Sequence, residues 1–177
     1  METKSVSNKN KKRLFQRLSS REKTLAVVVL AALLVGAWLP GRIIVSTSPS
    51  LHHRVFFLVP NLKKIKTGDY LVFRHMDTTF VNKGLNTEND RLIIKVGCSP
   101  GQILTDDADR LFFCNKKKLG KALDKDSEGR QLPQFIFSDP VPDDNFFMIG
   151  SDPRSFDSRY FGFVHADDIL YKALPLW

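Results

Sequence analysis

Three short segments of this chain combine hydroxyl groups with a lysine in a way that suits nucleophilic chemistry. The first, STSPSLHHRVF at residues 46–56, places four hydroxyl side chains within five positions. The second, RLIIKVGCSPGQIL at residues 91–104, places Lys95 among apolar neighbours at the end of a predicted strand. A serine hydroxyl becomes a nucleophile when a base takes its proton, and a desolvated, neutral lysine is able to act as that base.

The third segment, IGSDPRSFDSRYFGFV at residues 149–164, is a compact polar turn before an aromatic strand. It contains Ser155, Asp157 and Arg159. Each segment alone has a simpler interpretation: a lysine in a strand usually faces solvent, and an Asp-Arg turn is usually a surface ion pair. Ile93, Ile94 and Val96 would instead desolvate Lys95 if its side chain pointed inward.

The net charge of +8 is concentrated at the N-terminus, where residues 1–23 contribute +6. An uncharged apolar run, LAVVVLAALLVGAWL at residues 25–39, follows directly. By the positive-inside rule this order predicts a cytoplasmic basic tail over 1–23, a transmembrane anchor over 24–45 and an exported catalytic domain over 46–177. Trp38 and Arg42 suit the outer headgroup region. The alternative is a cleavable signal peptide, with VGA at residues 35–37 as its cut site.

The exported part is predicted to be mainly β, as a single domain on an N-terminal transmembrane helix. Six short aromatic or β-branched runs separated by turn residues predict strands: RVFFLV, DYLVFRH, RLIIKV, RLFFC, PQFIF and NFFMIG. Residues 76–90 are polar and fit either a loop or a short helix.

Cys98 and Cys114 lie in the exported part, and in an oxidising compartment they predict a disulfide. His52, His53, His75 and His165 show no spacing typical of a metal site, so we expect no metal and no cofactor. The basic tail has no interleaved aromatic residues, which disfavours nucleic acid as a partner.

Together the three segments resemble the signal peptidase I family of membrane-bound serine-lysine proteases, and most closely its short TraF-type branch from conjugative transfer systems. The resemblance covers nearly the whole chain: the anchor, TSPSLHHRVF, IIKVGCSPGQIL and SFDSRYFGFV. Members of this branch also pair a cysteine before the Pro-Gly turn with one in the next strand, as Cys98 and Cys114 would. The resemblance implies removal of leader peptides from exported precursors, typically pilin or other transfer proteins. It also implies a location in the inner membrane with the catalytic domain on the periplasmic side.

The nucleophile has two registers. The Pro-Thr-Leu pattern of general signal peptidases would make it Ser46, whereas the Thr-x-Ser-Leu pattern of the TraF-type branch would make it Ser50. We choose Ser50, because the family places a second hydroxyl two residues earlier to help hold the oxyanion. Ser48 meets that need, and Ile44 could not do so for Ser46.

By this resemblance Ser50 attacks the scissile carbonyl, Lys95 is the general base, and Ser48 supports the oxyanion. Ser155 would orient the lysine, while Asp157 and Arg159 would hold the framework. Three departures from the family pattern stand out: a five-residue spacing from Lys95 to Pro100, Pro-Gly-Gln in place of Pro-Gly-Asp, and Gly-Ser-Asp in place of Gly-Asp. The implied partners are leader-bearing precursors, prepilin first among them, and the lipid bilayer.

Two alternatives remain. One is a housekeeping signal peptidase of broad substrate range, although the chain leaves no room for the large inserted domain of many such enzymes. The other is a non-catalytic, membrane-anchored scaffold of a pilus or secretion assembly.

Overall fold

A computed structural model describes residues 19–46, 51–60, 64–74 and 91–177 of the 177-residue chain. Contacts divide the chain into two units, Met1–Arg42 and Ile43–Trp177. The predicted boundary after residue 45 therefore differs from this division by three residues. Ile43–Val45, expected at the end of the anchor, form a strand of the second unit.

In the described part of the first unit, a long helix, α1, spans Ser20–Trp38. Ser19 and Glu22 form a reciprocal capping box that satisfies free amide groups at its start. A 3-10 turn over Pro40–Arg42 follows, and the Arg42 guanidinium lies 5.2 Å from the centre of the Trp38 ring. The helical stretch Ser20–Arg42, 23 residues long, is long and apolar enough to cross a membrane. Helix formation begins before the apolar run, which supplies the length that the run alone lacks.

The second unit is mainly β, as predicted, and its strands pair antiparallel throughout the described residues. A seven-stranded sheet has the order β1-β2-β11-β3-β4-β9-β10. Its strands are β1 Ile43–Val45, β2 Val55–Val59, β3 Tyr70–Arg74, β4 Arg91–Cys98, β9 Asn145–Ile149, β10 Val164–His165 and β11 Ile169–Pro175.

A smaller sheet has the order β7-β6-β5-β8. Its strands are β5 Ile103–Asp106, β6 Leu111–Cys114, β7 Lys117–Lys121 and β8 Asp139–Pro140. A four-residue helix, α2, spans Ser158–Phe161 between β9 and β10.

Three clusters of buried side chains form the core. Because side chains alternate along a strand, the seven-stranded sheet places Ile94 and Val96 in one cluster and Ile93 in contact with another. The third cluster joins the small sheet to β9, and in it Phe147 stacks near Phe112 with 5.2 Å between ring centres. The strand β4 therefore packs on both faces of the sheet. This packing fixes β4, and with it the backbone of Lys95, within the sheet.

Five of the six predicted strands occur, but PQFIF does not form one, and that prediction is wrong. Pro133 has no amide hydrogen to donate to a ladder. The amide of Phe135 donates to the carbonyl of Arg159, and that of Phe137 donates to the carboxylate of Asp106. Aromatic packing rather than strand pairing holds this segment, since the rings of Phe135 and Phe137 both contact Phe163 while Ile136 is exposed. The predicted loop or helix at residues 76–90 lies outside the described residues.

Candidate active site

Lys95 lies near the middle of the seven-stranded sheet and is half-buried rather than enclosed. Its partners in register are Tyr70 on β3 and Ile149 on β9. Directly opposite residues of antiparallel strands project on the same face with Cβ atoms about 5 Å apart. The side chain of Lys95 therefore starts between those of Tyr70 and Ile149.

The sheet becomes irregular immediately after Lys95. The register between β4 and β9 shifts between Val96 and Cys98, so Gly97 is the extra residue of a bulge. A Cβ atom at Gly97 would lie 2.9 Å from the side chain of Ile149, which excludes any larger residue without local movement. The bulge changes the direction of the chain just after Lys95. It lies within the five-residue spacing from Lys95 to Pro100.

The proposed nucleophile segment is only partly described. Ser48 and Ser50 lie outside the described residues, between Ser46 and Leu51, which are described. The amide of Ser46 donates to the carbonyl of Arg54 at 2.7 Å, which continues the pairing of β1 with β2. Leu51 is buried in the cluster that contains Tyr70, the register partner of Lys95. Leu51 therefore lies on the face of the sheet that carries Lys95.

Ser155 is buried at the end of β9. A Cβ atom at Gly150 would lie 2.0 Å from the Ser155 hydroxyl oxygen, so only glycine allows this approach. Gly150 follows Ile149, the register partner of Lys95. The structure thus brings Ser155 close to the end of β9, next to the residue that pairs with Lys95.

Asp157 and Arg159 form a buried ion pair beneath this turn. The guanidinium donates two hydrogen bonds to the carboxylate, from Nε to Oδ1 and from Nη2 to Oδ2, each 2.8 Å long. The carboxylate also accepts from the amide of Gly150 at 2.7 Å. Burial raises the pKa of the Asp157 carboxyl, and the bonds from Arg159 and Gly150 oppose that rise. These hydrogen bonds therefore offset the cost of burying the Asp157 carboxylate. They also connect the turn to the start of α2.

Arg159 connects three parts of the second unit. Besides Asp157, its guanidinium donates to the carbonyl of Lys121 on β7 at 2.7 Å and to that of Ser155 at 3.1 Å. The hydroxyl of Ser158 accepts from the amide of Met148 on β9 at 2.8 Å. These bonds fix the turn that carries Ser155 against both sheets.

Replacing Arg159 with methionine is expected to destabilise the protein by about 3–5 kcal/mol, because it leaves the Asp157 carboxylate buried without its cation. Urea unfolding of the full chain in detergent measures this loss. The matched control is Arg154→Met in the same turn, since Arg154 is exposed and its contact with Asp152 is 3.6 Å long. A surface pair of this kind contributes at most about 1 kcal/mol. Equal losses in the two variants would show that the buried pair does not hold the turn.

Cys98 and Cys114 are joined by a disulfide, with Cα atoms 5.6 Å apart. It links the end of β4 to the end of β6 and so connects the two sheets directly beyond the bulge at Gly97. A loop of this length stabilises a fold by about 3 kcal/mol. The turn that follows Lys95 is therefore held covalently.

A polar network that was not predicted from the sequence also braces this turn. The Gln102 side chain accepts from the amide of Ser99 at 2.7 Å and from the hydroxyl of Thr67. The amide of Val96 donates to the carbonyl of Asp69 at 2.8 Å. The replacement of the expected aspartate by Gln102 was the only signal in the sequence, and it did not reveal Thr67 as the partner.

Within the described ranges, no group of three or more His, Cys, Asp or Glu side chains is placed to hold a metal ion. Lys95 pairs in register with Tyr70 and Ile149, and the carboxylate of Asp157 accepts from the amide of Gly150, the residue after Ile149. Chemically, this arrangement offers an amine beside a braced turn, on the sheet face against which Leu51 is buried.

The sequence profile described as signal peptidase, peptidase S26, matches residues 18–177. No protein among the curated sequences matches the chain. Among solved structures, the chain is similar to a signal peptidase I from Enterococcus faecalis, with 23% identity and a TM-score of 0.38. That match covers 63% of this chain and 98% of the other.

The family match spans both the helix α1 and the whole second unit. The chain therefore belongs to the signal peptidase S26 family, the proteases that remove leader peptides from precursor proteins. Its single described apolar helix fits the membrane anchor of such an enzyme.

Proposed function

We propose that this protein cleaves leader peptides with a dyad of Ser50 and Lys95. The observation that carries the proposal is the burial of Leu51 in the cluster that contains Tyr70, opposite Lys95. One peptide bond joins Ser50 to Leu51, so their Cα atoms are about 3.8 Å apart. This connection supports the proposal that Ser50 acts at the face of the sheet that bears Lys95.

The reaction proceeds through an acyl-enzyme. The amine of Lys95 takes the proton of the Ser50 hydroxyl as its oxygen attacks the scissile carbonyl carbon. The amide of Ser50 and the hydroxyl of Ser48 donate to the oxyanion that forms. Lys95 then passes the proton to the leaving amine, which breaks the peptide bond, and afterwards activates the water that releases the acyl group.

Ser155 orients the Lys95 amine, and the Asp157–Arg159 pair keeps Ser155 in place. Support comes from the contact between Ser155 and Gly150, one residue beyond the register partner of Lys95. The two charged residues do not touch the reacting atoms in this scheme, because both are buried and bonded to each other. Their role is to position the serine.

We further propose that the substrates are prepilin or other conjugative transfer precursors, as in the TraF-type branch. The support is Ser-Pro-Ser-Leu at residues 48–51, which resembles the Thr-x-Ser-Leu pattern with serine in place of threonine, and the cysteine pair around the Pro-Gly turn. The basic tail is cytoplasmic, α1 crosses the inner membrane once, and the domain from residue 46 onward lies on the periplasmic side. The charge order along the first forty residues supports this orientation.

The experiment is co-expression with candidate precursors, followed by mapping of the new N-terminus. We expect one cut in a prepilin leader, after small side chains in an Ala-x-Ala pattern. The Ser50→Ala variant in the same host provides the background from the host's own peptidase. Equal processing with and without Ser50 would contradict the proposal, and cleavage of many unrelated leaders would favour the broad-range alternative.

A further inference from the structure

Three aromatic rings join the segment after Ser50 to the strand beside Lys95. The His53 ring meets Tyr70 edge to face, with 5.8 Å between ring centres and an angle of 90°. His53 also contacts Phe56 at 6.3 Å, and Phe56 contacts Tyr70 at 5.2 Å. The dyad mechanism assigns none of these rings a role.

Tyr70 lies at the position on β3 that faces Lys95. It is the register partner of the lysine and only 7% exposed. Burial raises the pKa of its hydroxyl, so the group remains neutral at physiological pH. The base of the Lys95 side chain therefore lies beside an uncharged ring, and packing fixes the position of that ring.

His53 lies at the other end of this contact, three residues after Ser50. Leu51, between them, is buried in the same cluster as Tyr70. The next element, β2, begins at Val55 and is held by β1 and β11. The segment after Ser50 thus packs around Tyr70 at two residues, Leu51 and His53.

We propose that His53 is a positioning residue, whose ring, packed against Tyr70, sets the distance between the Ser50 segment and the Lys95 strand. This inference rests on the proposed Ser50–Lys95 dyad. The ring acts by its shape and takes no proton, so it is not a catalytic residue. A displacement of about 1 Å between reacting groups lowers a rate by about 100-fold. We therefore expect loss of the contact between His53 and Tyr70 to affect the rate of cleavage more than the stability of the fold.

The test uses the full chain in detergent and a synthetic peptide that spans the cut site mapped by co-expression. His53→Ala is expected to lower kcat by about 10- to 100-fold, with KM changed by less than about twofold, because positioning fails after the peptide has bound. His53→Phe should restore most of kcat, since phenylalanine keeps a flat ring but cannot transfer a proton. Tyr70→Phe should behave like the unaltered protein, because only the ring is used.

His52→Ala is the matched control. His52 is the adjacent histidine, it is exposed, and among the described residues no ring contact involves it. It should retain full activity, and all four variants should unfold at nearly the same temperature. This comparison separates positioning from a general loss of structure.

The inference is overturned if His53→Ala cleaves as fast as His52→Ala, or if His53→Phe stays as slow as His53→Ala. Loss of activity in Tyr70→Phe would also overturn it, by assigning the role to the hydroxyl. The proposed function fails separately, if Ser50→Ala or Lys95→Arg still cleaves the peptide. A slow His53→Ala beside inactive Ser50 and Lys95 variants supports both.

Discussion

Lys95→Arg is expected to give a folded protein that no longer processes its precursor. Arginine keeps a long basic side chain, but a guanidinium does not lose its proton near neutral pH and so cannot act as a base. General-base catalysis contributes about 100- to 10,000-fold to a rate, and a loss on this scale is expected in kcat. Cleavage of the precursor by the purified variant, followed on a gel over several hours, measures it.

The matched control is Lys118→Arg, because Lys118 is an exposed lysine on β7, in the smaller sheet. It should cleave at the normal rate. The same loss in both variants would point to a general effect of arginine on the fold. Normal cleavage by Lys95→Arg would exclude Lys95 as the base. Lys95 would then be an ordinary residue of the strand without a catalytic role.

Ser50→Ala is expected to abolish cleavage, while Ser46→Ala keeps most of the activity. Removal of the nucleophile of a serine protease lowers kcat by about a millionfold, so no product should be detected. Ser46 is different, because the bond it makes to Arg54 comes from its backbone amide and survives the loss of the hydroxyl. N-terminal mapping of precursor incubated with each variant separates the two assignments.

The opposite pattern, with Ser46→Ala inactive and Ser50→Ala active, would show that the other register is correct. Ser48→Ala adds a graded test. It should slow cleavage by about 100- to 1,000-fold without abolishing it, as removal of one oxyanion donor does.

Much of the second unit was predictable from local sequence, because strands with a buried face contain aromatic and β-branched residues. The runs RLIIKV and NFFMIG correspond to β4 and β9. The segment ILYKALP, which forms β11, was not predicted, since Lys172 interrupts its apolar pattern. That lysine is accommodated because its Nζ donates to the carboxylate of Asp69 at 2.6 Å, a contact between residues distant in sequence.

The candidate site was predictable as a set of residue types but not as a set of neighbours. Lys95 and Ser155 were selected by pattern, and what links them is the pairing of β4 with β9 followed by the close approach of Ser155 to Gly150. His53 was considered only as a metal ligand, because the partner of its ring, Tyr70, is provided by the β3 strand. The prediction that apolar neighbours enclose Lys95 overlooked strand alternation, since Ile94 and Val96 face the opposite side of the sheet.

The place of β11 in the sheet has a consequence for the order of assembly. This strand lies between β2 and β3, and Lys172 pairs with Val59 across more than a hundred residues of chain. Closing so long a loop is slow compared with forming a local hairpin, so the centre of the sheet forms late in folding. In the proposed topology the basic tail stays in the cytoplasm, so β1 and β2, which follow α1 directly, are exported before β11 arrives to hold them beside β3. The proposed proteolytic activity should therefore begin only after this C-terminal strand has joined the sheet.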